Sequence, residues 1–413
     1  LAIVQPVGEQ TLLHYYKSWC LIRLGKTAEA QIAIATAEKE PADYCFPNAL
    51  EAIEALQCVV DFAGKAPKAL YYLGNLWYDK RRYPTAIAAW ERSSREDETF
   101  PTVWRNLSLA YFNKMNRPDE AVALLEKAFR LDHTDARVLM ELDQLYKRLN
   151  RPHIERLCFL EQHIDIVMTR DDLYLEYVTL LNQTGQYREA IRRIDQRKFH
   201  PWEGGEGKVP AQYQLARLEL AKELIIRKKY DDALALIDEC YIYPAHLGEG
   251  KLPGAQENDF NYYKAYILQQ QGRPEEAHSL FVKACSGNSQ PAAAMYYNDQ
   301  KPDKIFYQGL AYRKLGEEEK ARSRFNQLIT YGEEHLFDRF KMDYFAVSLP
   351  DLLIWEDDMD KKNRIHCNYL MALGHLGLGN RTKAEHFFDI AASMDNNHQG
   401  VQIHRKLMNT ILS

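Results

Sequence analysis

The stretch HPWEGGEGK, residues 200–208, sets an imidazole, an indole, two carboxylates and an ammonium among glycines, and LGEGKL, residues 247–252, repeats its second half. Two chemistries use such letters. A phosphate-cradling loop needs Gly, four residues, then Gly-Lys-Ser/Thr, because backbone amides hold the phosphate and the hydroxyl ligates magnesium. Here Val209 and Leu252 follow the lysines, and Trp202 and Ala245 stand where the first glycine belongs, so nucleotide binding is not expected. The second chemistry is recognition of a sugar or a polar peptide segment, in which a flat ring covers an apolar face while carboxylates and amides take hydroxyls or main chain. Its candidate residues are Trp202, Glu203, Glu206 and Lys208, then His246, Glu249 and Lys251, then Tyr297 and Asp299. The same residues have plain structural uses: glycines permit a tight loop, the glutamates cap a helix or accept backbone amides, and the lysines pair with them. For the duplicated GEGK the repetition itself favours the structural use.

Catalysis is a weaker reading. Glu203 and Glu206 could do general acid–base work only in a desolvated cleft at a defined separation, which spacing on a loop does not provide. No nucleophile elbow, H-E-x-x-H or metal-ligand cluster is present, and His366-Cys367 reads as core. No catalytic residue, metal or cofactor is therefore expected of this chain alone.

The elements that hold these loops show in a repeat. In ALYYLGNLWYDKRRYPTAIAAWERS, Leu73-Gly74 precedes Trp77, and Tyr83, Ala86, Trp90 and Ser93 follow; the next segment restates this as Trp104, Leu107-Ser108, Tyr111, Ala121, Leu125 and Ala128. This is the pattern of a tetratricopeptide repeat, in which a small residue lets two antiparallel helices approach and large residues fill the seam. Its second-helix small residue recurs as Ala30, Ala86, Ala121, Ala190, Ala233, Ala277, Ala321 and Ala384, with Glu155 in a degenerate copy. Gly25, Gly185, Gly272, Gly316 and Gly379 each fall five residues before that position, where the first helix must end. The reading is an all-α, right-handed α-solenoid of about nine to ten helical hairpins, a single array over 1–413.

Successive intervals of 56, 35, 34, 35, 43, 44, 44 and 63 residues depart from the usual ~34. Regular repeats occupy 1–197, the first long interval leaves room for a further short hairpin near PNALEAIEALQCVVDF, and repeats with enlarged loops occupy 198–413. The extra residues fall after the second helices, at 198–210, 241–259, 285–303 and 340–358. Such connections emerge on one edge of a solenoid, and the two GEGK loops become repeat equivalents. Pro350 argues against one continuous helix in the last of them.

Composition narrows the partners. With 46% hydrophobic and 12% aromatic residues the chain can bury a core, and a net charge of -5 without a long Lys/Arg run offers nothing to a nucleic acid. No apolar run reaches the ~20 residues of a membrane span, and the start lacks a signal peptide. Seven scattered cysteines outside any C-x-x-C pair suit a reducing, cytoplasmic location. The chain begins at Leu1 and not at a methionine, which leaves room for targeting information and further domains upstream.

The stretches YYLGNLWYDKRRY (71–83), HPWEGGEGK, LGEGKL, YYNDQKPDKIFYQGLAYRKLG (296–316) and DYFAVSLPD (343–351) resemble the C-terminal tetratricopeptide region of large bacterial proteins whose N-terminal domain is similar to galactose mutarotase and has no assigned function. The resemblance implies that this chain follows a β-sandwich and that its loop edge docks on, or completes, a carbohydrate site there. Two functions follow. A scaffold for a protein, a peptide or the upstream domain would use a groove of first-helix residues, Asn75, Tyr78, Arg105 and Asn106. An accessory region of a carbohydrate-active enzyme would gather Trp202, Glu203, His246, Tyr297 and Asp299 in one pocket.

Overall fold

The structure is a computed structural model and describes residues 9–293, 299–339, 354–408 and 410. Among these the regular elements are all helical. The described residues separate into two compact units, one reaching residue 145 and including 354–356, the other containing the rest.

The first unit runs α1 (Glu9–Arg23), α2 (Thr27–Lys39), α3 (Leu50–Ala63), α4 (Pro67–Asp79), α5 (Tyr83–Glu96), α6 (Pro101–Met115), α7 (Pro118–Leu131) and most of α8 (Ala136–Arg148). The second runs α9 (His153–Gln162), α10 (Ile164–Val167), α11 (Asp171–Gln183), α12 (Tyr187–Asp195), α13 (Lys208–Ile226), α14 (Tyr230–Cys240), α15 (Asn258–Gln270), α16 (Pro274–Ala284), α17 (Pro302–Lys314), α18 (Glu318–His335), α19 (Met359–Gly377), α20 (Arg381–Met394) and α21 (Gln399–Leu407). Each unit is an α-solenoid in which consecutive helices such as α4–α5, α6–α7, α13–α14 and α15–α16 pack as hairpins.

Sequence places the helix ends. Proline opens α4, α6, α7, α16 and α17, where its missing N–H is one of the donors without a helical partner in any case. All eight marker alanines are closed off from solvent at 0–2% exposure. Their seams are tight: a Cβ built on Gly74 would lie 2.3 Å from the Trp90 ring, and one on Gly309 would lie 2.4 Å from Phe325. The degenerate copy differs, since Glu155 is exposed and α9 buries the neighbouring Arg156 instead.

Five residues before every marker the backbone is left-handed, whatever the residue. The five glycines have φ of 73–79°, and Arg81, Asn116, Asn150 and Lys228 hold the same place at 53–59°. A side chain there costs on the order of 1–2 kcal/mol, which glycine avoids at a smaller entropic cost. Lys228→Gly is accordingly expected to stabilise the second unit by up to about 1 kcal/mol, read as a rise in urea midpoint with unchanged slope.

Two local features depart from the sequence reading. Between α2 and α4 there is one helix, α3, and no second hairpin, because Pro41 and Pro47 interrupt the preceding stretch. A terminal helix, α21, follows the last marker and had no counterpart in the repeat count. The conformation of 340–353, with Pro350, lies outside the described residues.

Candidate functional site

The first two enlarged loops meet each other. The Phe199 N–H donates to the His246 carbonyl at 2.8 Å, and the Glu249 carboxylate accepts from the Gly207 N–H at 2.7 Å. Gly207 is the left-handed residue immediately before α13, so Glu249 satisfies one of the donors that a helix start leaves open. The two GEGK copies are not conformational equivalents. Lys208 is exposed and begins α13, whereas Lys251 lies seven residues before α15, donating to the Tyr241 carbonyl at 2.9 Å and pairing with Glu257.

Around this junction Trp202, Glu203, Glu206 and Glu249, with His200 and Leu247, line a cavity of 280 Å³. Trp202 packs against Gly205, where a Cβ would come within 2.3 Å of the indole. Burial pushes the Glu249 carboxyl up, the Gly207 amide opposes this, and the nearby Glu206 adds to it. The lining is thus one aromatic face and several acceptors. His246 is not part of it: its ring packs edge-on to Tyr213 and stands 3.8 Å from Asp195. The Asp299 carbonyl accepts from Gln256 at 3.1 Å, also away from the cavity, and Tyr297 lies outside the described residues.

The first-helix residues form a continuous polar row in the first unit. Asn75 on α4 accepts from Trp90 Nε1 at 3.1 Å and from Asn106 Nδ2 at 3.0 Å. On α6, Arg105 donates to the Asn106 side chain at 3.2 Å and grips both oxygens of the fully buried Glu141 on α8 at 2.6 and 2.5 Å. The row continues along α6, because Phe112 and Asn113 stand two turns beyond Arg105 and Asn106 on the same face.

Three residues far along the chain lie on this continuation. The Asn113 amide donates to the Ile354 carbonyl at 2.8 Å and its oxygen accepts from the Glu356 N–H at 3.0 Å. Between these two bonds Trp355 is buried at 1% exposure, edge-on to Phe112 with centroids 5.1 Å apart, and its Nε1 donates to the Glu141 carbonyl at 3.1 Å. Lys114, seated over the Tyr83 ring, pairs with Glu356. Tyr78 belongs to the same cluster: burial raises its phenol pKa, Lys114 lowers it and Glu356 raises it. Trp355 was included in the 340–358 loop by sequence, but nothing local announced its destination. The available signal was an indole isolated before acidic residues, together with asparagines seven apart on α6.

The second unit carries an analogous return of its own chain. Asn397, in the turn before α21, accepts from Arg156 at 2.7 Å and donates to the Lys147 carbonyl at 3.0 Å; its own carbonyl accepts from Gln183 at 2.8 Å. Gln399 bonds Gln212, and His404 packs against Phe306, Tyr307 and Tyr369. Burial pushes the His404 imidazole down to about 4, with Asp303 and Glu219 opposing and Lys222 assisting. An unfolded imidazole titrates near 6.5, so between about pH 6.5 and 4 the unfolded chain binds a proton that the folded chain refuses. Stability is full above that window and falls as pH drops through it, by about 3 kcal/mol from this residue. Comparison of urea midpoints at pH 7 and pH 4.5 is expected to show a smaller acid loss in His404→Gln than in wild type.

Among the described residues no helix is long and apolar enough to cross a membrane, and no group of three His, Cys, Asp or Glu side chains is placed to hold a metal. Residues 101–135 and 305–331 match models of the tetratricopeptide repeat. Among solved structures, the chain is similar to a tetratricopeptide repeat protein from Parabacteroides merdae, at 15% identity over 74% of this chain and 99% of that one, TM-score 0.30. It is also similar to a chain of Naa15/Naa10 bound to HypK-THB, at 11% identity over 97% of this chain and 66% of that one, TM-score 0.40. MamA aligns at 14% identity over 63% of this chain and 95% of its own, TM-score 0.18.

Proposed function

We propose that this chain, which carries tetratricopeptide repeats, is a non-catalytic scaffold that binds a protein or peptide along its first-helix row. The observation that supports this reading is the hold on residues 354–356: a non-helical segment is gripped through its backbone by an asparagine, through its indole by a hydrophobic slot and through its carboxylate by a lysine. Those are the three contacts a peptide needs, and the half-buried Asn75, Tyr78, Arg105 and Asn106 extend the same row. The reading includes a position as the C-terminal part of a larger bacterial protein, supported by the loop resemblance, and a cytoplasmic location, supported by seven free thiols.

Panning a random peptide library on the full chain tests it. Peptides are expected whose binding falls about tenfold or more in Asn106→Ala or Tyr78→Ala, as for central contacts in other interfaces. Enriched peptides indifferent to both changes would contradict the row as the binding surface.

A second reading draws on the cavity at Trp202. An aromatic wall with three glutamates suits a sugar whose hydroxyls donate to carboxylates, as an accessory to an upstream enzyme domain. Titration with galactose, followed by indole fluorescence in wild type and Trp202→Phe, separates the two: the accessory reading expects saturable, Trp202-dependent binding and the scaffold reading expects none.

A further inference from the structure

We infer that the strip made by Phe112, Asn113, Lys114 and the Glu141 carbonyl is a docking site for an internal tryptophan–acidic segment of a partner protein, and that Ile354-Trp355-Glu356 occupies it as an intramolecular stand-in. The inference rests on the scaffold reading and gives it a ligand class.

Each contact selects one property. Asn113 uses both ends of its amide on the backbone flanking residue 355, so it reads a peptide without regard to that residue's side chain. It needs a carbonyl before and an N–H after, which a chain ending at the tryptophan would lack; the segment is therefore internal. The slot beside Phe112 takes an aromatic, and the Glu141 carbonyl asks that aromatic for an N–H; tryptophan supplies it and phenylalanine does not. Lys114, ordered over Tyr83, selects an acidic residue next in sequence, and Glu356 in that place is exposed.

The occupant also explains a burial that is otherwise odd. Trp355 is the largest fully buried side chain described, yet Glu356 beside it is exposed and no helix contains either residue. A side chain anchored this way behaves as a ligand seated on a preformed face. The face itself does not depend on it, because the Asn75–Asn106–Arg105–Glu141 ladder is complete without residues 354–356. Being tethered, the stand-in competes at a high effective concentration, so a partner in trans is disfavoured until it is displaced.

The test uses the full chain and a fluorescein-labelled synthetic peptide of residues 352–358, followed by anisotropy. In the emptied chain, Trp355→Ala with Glu356→Ala, the peptide is expected to bind with a Kd on the order of micromolar, as befits a small contact. Binding is expected to be about tenfold or more weaker to wild type, to the emptied chain with Asn113→Ala, and for a peptide with alanine at the tryptophan. Absence of saturable binding to an emptied chain with native circular dichroism would overturn the inference, as would a Kd unaffected by Asn113→Ala or by loss of the peptide tryptophan. Should the double variant lose helical signal, Trp355→Phe with Glu356→Lys, which fills part of the slot but lacks the N–H for the Glu141 carbonyl and opposes Lys114, takes its place with the same expected and overturning results. Failure here beside row-dependent library peptides would remove this docking site and leave the scaffold reading standing.

Discussion

Replacing Arg156 by alanine is expected to destabilise the second unit by about 3–5 kcal/mol, the range for removing one partner of a buried charge pair. Its guanidinium is fully buried and donates to Glu176 at 2.7 Å and to Asn397 at 2.7 Å. Burial alone would raise the Glu176 carboxyl pKa, but Lys147 and Arg156 beside it hold it well below the usual carboxylate range. Removing Arg156 leaves that carboxylate with Lys147 as its remaining ion-pair partner and frees the turn that brings α21 back. The check is a chemical denaturation curve with the second unit monitored at α21, where Arg156→Lys should recover only part of the loss: a single ammonium does not reproduce the two-pronged guanidinium.

Lys304→Ala is expected to cost a similar amount, about 3–5 kcal/mol, for a related reason. Lys304 and Asp259 are both nearly closed to solvent and lie 2.5 Å apart, with Asp303 at 3.9 Å. Burial lowers the lysine pKa, but pairing with Asp259 outweighs it and the ammonium is held above its ordinary value. The alanine variant strands a buried carboxylate, whereas Lys304→Met with Asp259→Leu removes both charges and is expected to recover most of the loss. A double variant as unstable as the single would show that the charge pair was not the cause. Because the pair is out of water, added salt should change its contribution little.

The sequence was most legible where structure is local and repeated. Marker alanines sit in the helix seams because the same packing problem recurs in each hairpin, and the spacing that defined them also located the left-handed turn. Glycine marked only five of those turns; Arg81, Asn116, Asn150 and Lys228 adopt the geometry without advertising it, since packing on both sides fixes the chain reversal regardless of the residue. The interval before Ala86 suggests a hairpin where the structure has the single helix α3, because interval length counts residues and cannot divide them between helix and proline-interrupted loop.

Recognition chemistry on the loop edge was partly visible. Trp202, Glu203, Glu206 and Glu249 converge on one cavity, while the His246 carbonyl accepts from Phe199 and its ring packs on Tyr213. Identical letters in the two GEGK loops did not give identical conformations, because the first abuts a helix start and the second is followed by KLPGAQE before α15 begins. The seating of Trp355 on α6 was out of reach of any local pattern. A contact between residues more than 240 positions apart in sequence, such as Asn113 with Ile354, is fixed by tertiary geometry alone.

Photocrosslinking tests the binding surface most directly. The peptide of residues 352–358, with benzoylphenylalanine in place of Ile354, is irradiated with the emptied chain and the adducts are mapped by mass spectrometry. Adducts concentrated on residues 105–114 and near Glu141 are the predicted result. Adducts on the loops at 199–209 and 246–249 instead, with the first-helix row unlabelled, would contradict it.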